Sequence, residues 1–285
     1  MYQWRKGIAQ WRVADTLYLS VVFTWHLPRA RQIAQQSKLR VVAGGPAVDL
    51  MPDYLADVSE RGDPLLCELS PLRMHNPLAT RTSQGCPNAC PWCVNQHRTL
   101  VELNEWDCLP VVCDDAFFSC SREHIERSIF RLSRLPMVDF NQGLSAKEFP
   151  NHIDLMRQLP LLRLRFAWDT ANQDTYVMDA VRLAQSHGMK DIRCYVLVGY
   201  NDTPEEAMVR CQTLWDAKVL PNPMRFQPLD ALTKNSFVGA SWTSRELGRF
   251  CRYWARHIHL AAVPYDEYRP PEEGQEPQLF EEARG

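Results

Sequence analysis

The central part of the chain repeats a short apolar run of β-type residues followed by a stretch with helical spacing. The runs occupy residues 78–82, 109–113, 137–141, 163–168, 192–198 and 224–227, and their starts are 26 to 32 residues apart. That distance suits a strand, a crossover helix and the next parallel strand. The pattern predicts an α/β fold in which six βα units form a parallel sheet, closed or partly closed into a TIM-type barrel.

The predicted helices carry end signals. Within residues 172–187 the apolar positions follow the i, i+3, i+4, i+7 rule, and Gly188 supplies a C-terminal cap. Thr203 and Thr243 each precede a glutamate by three residues, which is the spacing of a capping box. These signals support the assignment of helices between the strands.

A smaller α/β pattern precedes the six units. Residues 16–24 are β-branched, aromatic and almost uncharged, Pro28 can begin a helix that runs to Ser37, and residues 39–43 form a second apolar run. Gly44-Gly45-Pro46 follows that run and marks a tight turn. The pattern predicts a small Rossmann-like α/β extension.

Composition shifts divide the chain into three parts. Residues 51–76 are irregular and interrupted by prolines, which indicates a boundary. Residues 264–285 contain seven acidic and two basic side chains and are rich in Pro and Glu, which predicts an extended or disordered tail. The predicted parts are a small α/β region over 1–76, the barrel over 77–263 and the acidic tail over 264–285.

The overall composition is that of an ordinary folded protein. Of 285 residues, 45% are hydrophobic and 23% are charged, which excludes collagen-like, disordered and small disulfide-rich classes. No apolar run is long enough for a membrane span and the N-terminus lacks the apolar core of a secretory signal, so we expect a cytoplasmic protein without membrane attachment. Arginine supplies 26 of the 32 basic residues, but the net charge of −2 does not by itself indicate nucleic-acid binding.

Three of the ten cysteines lie together, directly after the first of the six apolar runs. Cys86, Cys90 and Cys93 have the spacing C-x3-C-x2-C, and Gly and Pro in the spacers let the chain wrap around a compact inorganic centre. Three thiolates leave one corner of a four-iron cubane open. Zinc held by these cysteines and His97 is the alternative, in a nucleic-acid or protein-binding module. An ordinary ferredoxin cluster needs a fourth cysteine, and Cys108 comes only after fourteen intervening residues.

Polar residues follow the other predicted strands. Because the carboxyl ends of parallel strands meet at one edge, these residues are expected to form a polar rim. They are Asp114 and Asp115, Asn141 and Gln142, Asp169 and Thr170, Tyr200 and Asn201, and Gln227.

Cys86, Cys90, Trp92 and Cys93 resemble the signature of the radical S-adenosylmethionine superfamily, C-x3-C-x-aromatic-C, in the loop after the first strand of a partial (β/α)6 barrel. The likeness covers residues 77–230. It implies that the three cysteines hold a 4Fe-4S cluster whose fourth iron chelates S-adenosylmethionine. One electron then gives methionine and a 5′-deoxyadenosyl radical, which abstracts hydrogen from a small-molecule or nucleotide-type substrate. An electron donor such as flavodoxin or ferredoxin is implied as a partner.

The same resemblance implies roles for other residues. Asp114 and Asp115 stand where relatives often carry Gly-Gly-Glu, so one of them is implied to bind the methionine amino group. Asp169 and Gln142 stand where relatives often hold the ribose and the methionine carboxylate, and Val198 and Gly199 stand where the adenine often packs.

The N-terminal region also looks like the end of the domain that precedes the barrel in cobalamin-dependent relatives. The likeness rests on residues 41–46. The region is short, and His26 lies in Thr-Trp-His-Leu rather than in D-x-H-x-x-G. We therefore expect a shortened domain that does not bind cobalamin.

Overall fold

The computed structural model describes residues 4, 7–62, 70–95, 98–256 and 263–270. The strands are β1 (Ile8–Val13), β2 (Thr16–Val21), β3 (Arg40–Gly44), β4 (Glu60–Arg61), β5 (Ala79–Thr80), β6 (Ser83–Cys86), β7 (Arg98–Glu102), β8 (Val111–Val112), β9 (Val138–Phe140), β10 (Leu162–Trp168), β11 (Asp191–Val198) and β12 (Leu220–Arg225). The α-helices are α1 (Leu27–Gln36), α2 (Pro46–Leu50), α3 (Pro71–His75), α4 (Arg122–Leu132), α5 (Ile153–Met156), α6 (Asp174–Ser186), α7 (Pro204–Asp216) and α8 (Ser244–Ala255). None of the helices in this part of the chain has the length and hydropathy of a bilayer-crossing segment.

Six strands form a parallel sheet in chain order, β5-β8-β9-β10-β11-β12. The predicted α/β class and parallel sheet are therefore confirmed. The prediction of residues 224–227 as the last strand was wrong in its boundaries, because β12 begins at Leu220. Pro221 and Pro223 argued against a strand here, because proline is rare within sheets. β12 is an edge strand, however, and its outward backbone positions need no ladder hydrogen bond.

One face of this sheet packs against helices. Leu164, Phe166 and Val196 on the strands are buried in the same apolar cluster as side chains from α4, α6, α7 and α8. Each fully buried large apolar side chain contributes about 1.5–3 kcal/mol. The predicted helix ends are confirmed: Thr203 and Thr243 form capping boxes, and Gly188 has φ +80° after α6.

The alternate positions of the same strands carry charge. The Nε and Nη2 atoms of Arg165 each donate to the Asp139 carboxylate at 2.7 Å, and Arg163 Nε donates to Asp191 at 2.7 Å. Arg193 Nε contacts Asp191 at 3.2 Å. Asp139 is buried and the other side chains are half-buried. Parallel sheets usually have two apolar faces, so this charged face is suited to contact with water or a polar ligand.

The N-terminal residues form a second sheet in the order β1-β2-β3-β4. β2, β3 and β4 are parallel neighbours and α1 crosses from β2 to β3, as predicted for this α/β region. Its separate core includes Leu19, Val21 and Leu55. β1 and β4 were not predicted. β1 is a mostly exposed edge strand without clean alternation, and β4 has only two residues, within the stretch assigned to a boundary.

The start of the acidic tail is packed, which corrects the prediction of an extended or disordered segment from residue 264. Tyr268 is buried, and the Tyr265 ring lies 5.2 Å from that of Tyr253 on α8. Arg249 Nε donates to Tyr268 O at 3.0 Å. The aromatic surface of the two tail tyrosines outweighs the acidic composition over residues 264–270. Residues 271–285 lie outside the described part.

Buried Arg210 on α7 connects the ends of β10 and β11. Its Nη1 donates to the carbonyl oxygens of Trp168 and Asp169 at 3.1 and 3.3 Å, and its Nη2 donates to the Asp202 carboxylate. Asp202 also accepts from Gly199 N–H at 2.8 Å. The carboxyl ends of the two strands are thus held by one buried ion pair.

We expect Arg210→Met to lower the free energy of unfolding by about 3–5 kcal/mol, because it leaves the Asp202 carboxylate buried without its partner. Urea denaturation measures the change. The double variant D202N/R210M should recover part of the loss. Arg182→Met, which removes an exposed pair with Asp179, is the matched control and should cost less than about 1 kcal/mol. Equal losses in R210M and R182M would contradict this role.

Candidate functional site

The three clustered cysteines are carried by a hairpin that the sequence did not reveal. β6 and β7 are antiparallel, Cys86 is the last residue of β6, and a bulge separates Gln84 from Cys86. Gly85 in the bulge has φ +89°, and a Cβ there would lie 2.1 Å from Thr99 O. Only glycine fits this position, so the approach to Cys86 is tightly determined.

Asp114 attaches this hairpin to the end of β8. One carboxylate oxygen accepts the Thr82 N–H at 2.7 Å, and the other accepts the Ser83 hydroxyl at 2.9 Å. Burial raises the pKa of Asp114, and the hydrogen bonds from Thr82 and Ser83 oppose that shift. The Thr82 hydroxyl also contacts Asp114 and His124 Nε2, the latter at 2.9 Å. Asp114 therefore has a clear structural role.

Asp115 lies beside the cysteine loop itself. One oxygen accepts the Gly85 N–H and the other accepts the side-chain amide of Asn95, both at 2.9 Å. Arg81 approaches the same carboxylate at 3.9 Å. The Asn95 N–H in turn donates to Cys93 Sγ at 3.4 Å.

The three thiols are electrostatically close to one another. Cys86 is buried, and Cys90 and Cys93 are half-buried. Burial is the main cause of the raised pKa of both Cys90 and Cys93, and the neighbouring thiols of the loop raise each pKa further. The Cys93 N–H closes a turn onto Cys90 O at 3.0 Å. The three thiols are therefore within electrostatic range of one another in a partly buried loop.

Among the residues that the structure describes, no three His, Cys, Asp or Glu side chains converge closely enough to enclose one metal ion. His97, the fourth ligand in the zinc alternative, lies outside the described residues, as does Cys67. The Cys3His site is therefore still a prediction. The other described cysteines are buried or packed against the core, as expected; they are Cys108, Cys113, Cys120, Cys194, Cys211 and Cys251.

Asp169 is the first residue after β10 and is half-buried. Burial raises the pKa of its carboxyl to about 6, and Arg210 opposes the shift. The Asp169 charge also raises the pKa of Cys90 and Cys93, which places it within electrostatic range of both thiols. A half-buried carboxyl beside a thiol cluster is a candidate for contact with a polar or cationic ligand.

Aromatic side chains extend from the loop along the carboxyl edge of the sheet. The ring centroids of Trp92 and Tyr200 are 5.7 Å apart, and those of Tyr200 and Phe226 are 4.6 Å apart. Phe226 then contacts Phe237 at 4.9 Å. These half-buried rings offer a surface on which a planar group can stack.

The structure brings only some of the predicted residues together. Trp92, Asp115 and Asp169 are beside the cysteines, while Val198 is buried at the end of β11 and Gln142 is exposed in the turn after β9. Gly199 begins the turn that carries Tyr200, the ring partner of Trp92. Sequence reasoning missed Asn95 and Arg81, because nothing in their local spacing indicates that they meet Asp115.

The N-terminal sheet borders this site. Asp49 on α2 lies 4.0 Å from Arg98 on the cysteine hairpin. Thr24 Oγ1 donates at 2.7 Å to Ala231 O in the segment after β12. Both contacts come from segments that follow strands of the N-terminal sheet. The carboxyl edge of this sheet therefore faces the site.

An open cleft of about 840 Å³ lies elsewhere, between α1 and the strands β1 and β2. Its lining includes Ile8, Leu17, His26, Arg29 and Ile33. None of the predicted site residues lines it, so the site is defined by its donor groups rather than by the size of a cavity.

Comparisons of the chain with protein-family models, with curated proteins and with solved structures gave no match. A parallel α/β sheet by itself is compatible with many activities. Function must therefore be inferred from the chemistry of the cysteine loop and its neighbours.

The raised pKa of Asp169 predicts a pH-dependent stability in the metal-free protein. A carboxyl whose pKa is raised on folding does not lower the free energy of unfolding below pH 3.8, the pKa of the unfolded state. Above that pH it lowers the free energy of unfolding increasingly, as pH rises through about 6. Asp169→Asn should thus gain stability relative to wild type between pH 4 and pH 7, by on the order of 2 kcal/mol. Urea unfolding across this range measures it, with Asp174→Asn as an exposed control. A difference that stays constant with pH would be the contrary result.

Proposed function

We propose that this protein is a radical S-adenosylmethionine enzyme whose 4Fe-4S cluster is held by Cys86, Cys90 and Cys93. The observation that carries the proposal is the combination of C-x3-C-x-W-C with its place at the carboxyl edge of six parallel strands in chain order. The sulfur atoms, the half-buried loop and the N–H bond to Cys93 fit such a cluster, since hydrogen bonds to sulfur and partial burial tune iron–sulfur centres. Cluster assembly would draw the three sulfur atoms to its corners, as metal binding orders its ligands.

The proposed architecture is a partial (β/α)6 barrel. Strands in chain order with helices packed on one face are the arrangement that curls into a barrel when each strand twists relative to the last. The charged face of β9, β10 and β11 would then line the interior. Filled barrels carry bulky apolar residues there, so a charged interior supports a chamber for a polar small-molecule or nucleotide-type substrate.

Residues of this chain would bind and orient S-adenosylmethionine. Asp115 accepts fewer protein hydrogen bonds than Asp114, so it is the member of the pair with capacity left for the methionine amino group. Asp169 would serve the ribose hydroxyls, and the Trp92 and Tyr200 rings offer an apolar surface for adenine. Gln142, Val198 and Gly199 keep the roles that the family resemblance implies.

When bound and reduced by a donor such as flavodoxin or ferredoxin, the cluster would supply the electron that cleaves S-adenosylmethionine to methionine and a 5′-deoxyadenosyl radical. The protein's own task is to hold the reactants and exclude water. In this proposal, the aromatic rings beside Trp92 and the adjoining N-terminal sheet would restrict access to the loop. A shortened N-terminal unit without cobalamin is part of the proposal.

Anaerobic reconstitution tests the cluster. We expect about four irons and four sulfides per chain with brown absorbance, and loss of both on Cys→Ala substitution at position 86, 90 or 93. Cys251→Ala, a half-buried cysteine outside the loop, is the matched control and should keep the iron. Binding of one zinc without sulfide, lost in His97→Ala, would instead establish the zinc-stabilised module.

S-adenosylmethionine cleavage tests the activity. The reconstituted protein with dithionite should release 5′-deoxyadenosine, and Cys90→Ala should release none, because the cluster electron is required. Chromatography with mass detection identifies the products. S-adenosylhomocysteine as the sole product would show methyl transfer and refute radical cleavage.

A further inference from the structure

The two ends of the cysteine loop lie close together, because both contact the same side chain. Gly85 precedes the first cysteine and Asn95 follows the last by two residues. Gly85 lies outside the regular pairing of β6 with β7, because the bulge interrupts the register between Gln84 and Cys86. Gly85 and Asn95 are thus the two ends of the loop that carries the sulfur donors.

One carboxylate meets both ends. Asp115 accepts the Gly85 backbone N–H on Oδ2 and the Asn95 side-chain amide on Oδ1, each at 2.9 Å. Its side chain is only 7% exposed, so water competes little for these bonds.

We propose that Asp115 is a positioning residue that clips the two ends of the cysteine loop together through these bonds, and that Asn95 transmits the restraint to Cys93 through its N–H bond to Sγ. The clip is a property of the metal-free chain. Its consequence for a bound cluster rests on the function proposed above.

Two features support a clip rather than a simple buried charge. Arg81 is 3.9 Å from Asp115, beyond hydrogen-bond distance, so the close contacts of the carboxylate are with the loop. Each end of the loop is also constrained independently: Gly85 by its positive φ, and Asn95 by the bond from Arg98 N–H to Asn95 O at 3.3 Å. Joining two ordered ends lowers the entropy that the loop must lose when a ligand orders it.

The test separates hydrogen bonding from charge. Asp115→Ala removes both bonds and the charge. Asp115→Asn removes the charge and keeps both hydrogen bonds. The new amide oxygen can accept the Gly85 N–H, and the new NH2 group can donate to the Asn95 side-chain oxygen once the Asn95 amide has flipped. Asn95→Ala removes one end only. Asp53→Ala, at an exposed carboxylate in the N-terminal unit, is the matched control.

Amide hydrogen exchange in the metal-free protein is the first measurement. We expect Gly85 and Asn95 to exchange at least about tenfold faster in D115A and to stay near the wild-type rate in D115N and D53A. In N95A, Gly85 should stay protected. Protection of the core residue Val196 checks that each variant is folded. Unchanged exchange at Gly85 and Asn95 in D115A, or equal acceleration in D115A and D115N, would overturn the clip.

The second measurement uses reconstituted protein. Iron release to a chelator should be about tenfold faster from D115A than from wild type, with D115N close to wild type. D115N releasing iron as fast as D115A would overturn the clip in favour of a charge effect. If wild type assembles no cluster, the proposed function fails, while hydrogen exchange still decides whether the clip exists.

Discussion

The hydrogen bonds accepted by Asp114 and Asp115 hold the cysteine hairpin against the end of the six-strand sheet. β5 and β8 are only two residues long, so their ladder adds little restraint at this point. A buried carboxylate is stable only when donors surround it, and Thr82, Ser83 and Gly85 supply those donors. The position of the sulfur atoms therefore depends on the two neighbouring aspartates just after β8 as much as on the loop itself.

The six-strand sheet has a charged face that leads toward the cysteine loop. Half-buried Arg165 pairs with buried Asp139 in the middle of the sheet, and Asp169, the first residue after β10, lies four residues beyond Arg165 and within electrostatic range of the thiols. At about 3.3 Å per residue, this spacing corresponds to roughly 13 Å along the strand. The arrangement brings a charged sheet face and the cysteine loop to the same end of one sheet.

Much of the fold and part of the site could be predicted from sequence. Five of the six strands, the capping boxes and the cysteine spacing were recognisable because each depends on residues close together in the chain. β12, the β6–β7 hairpin and the packed start of the tail were not. Prolines disguised β12, the hairpin strands are short and polar, and the tail tyrosines are buried only because α8 lies beneath them.

The sequence alone determined the order of the strands and the set of sulfur donors, because strand periodicity and C-x3-C-x-W-C are local properties. Only the tertiary structure decided what the acidic residues do. Asp115 meets Gly85 and Asn95 across 30 and 20 residues of chain, and the raised pKa of Asp169 comes from burial by surrounding elements. Hydrogen-bond partners and desolvation depend on packing between distant segments, which no short stretch of sequence specifies.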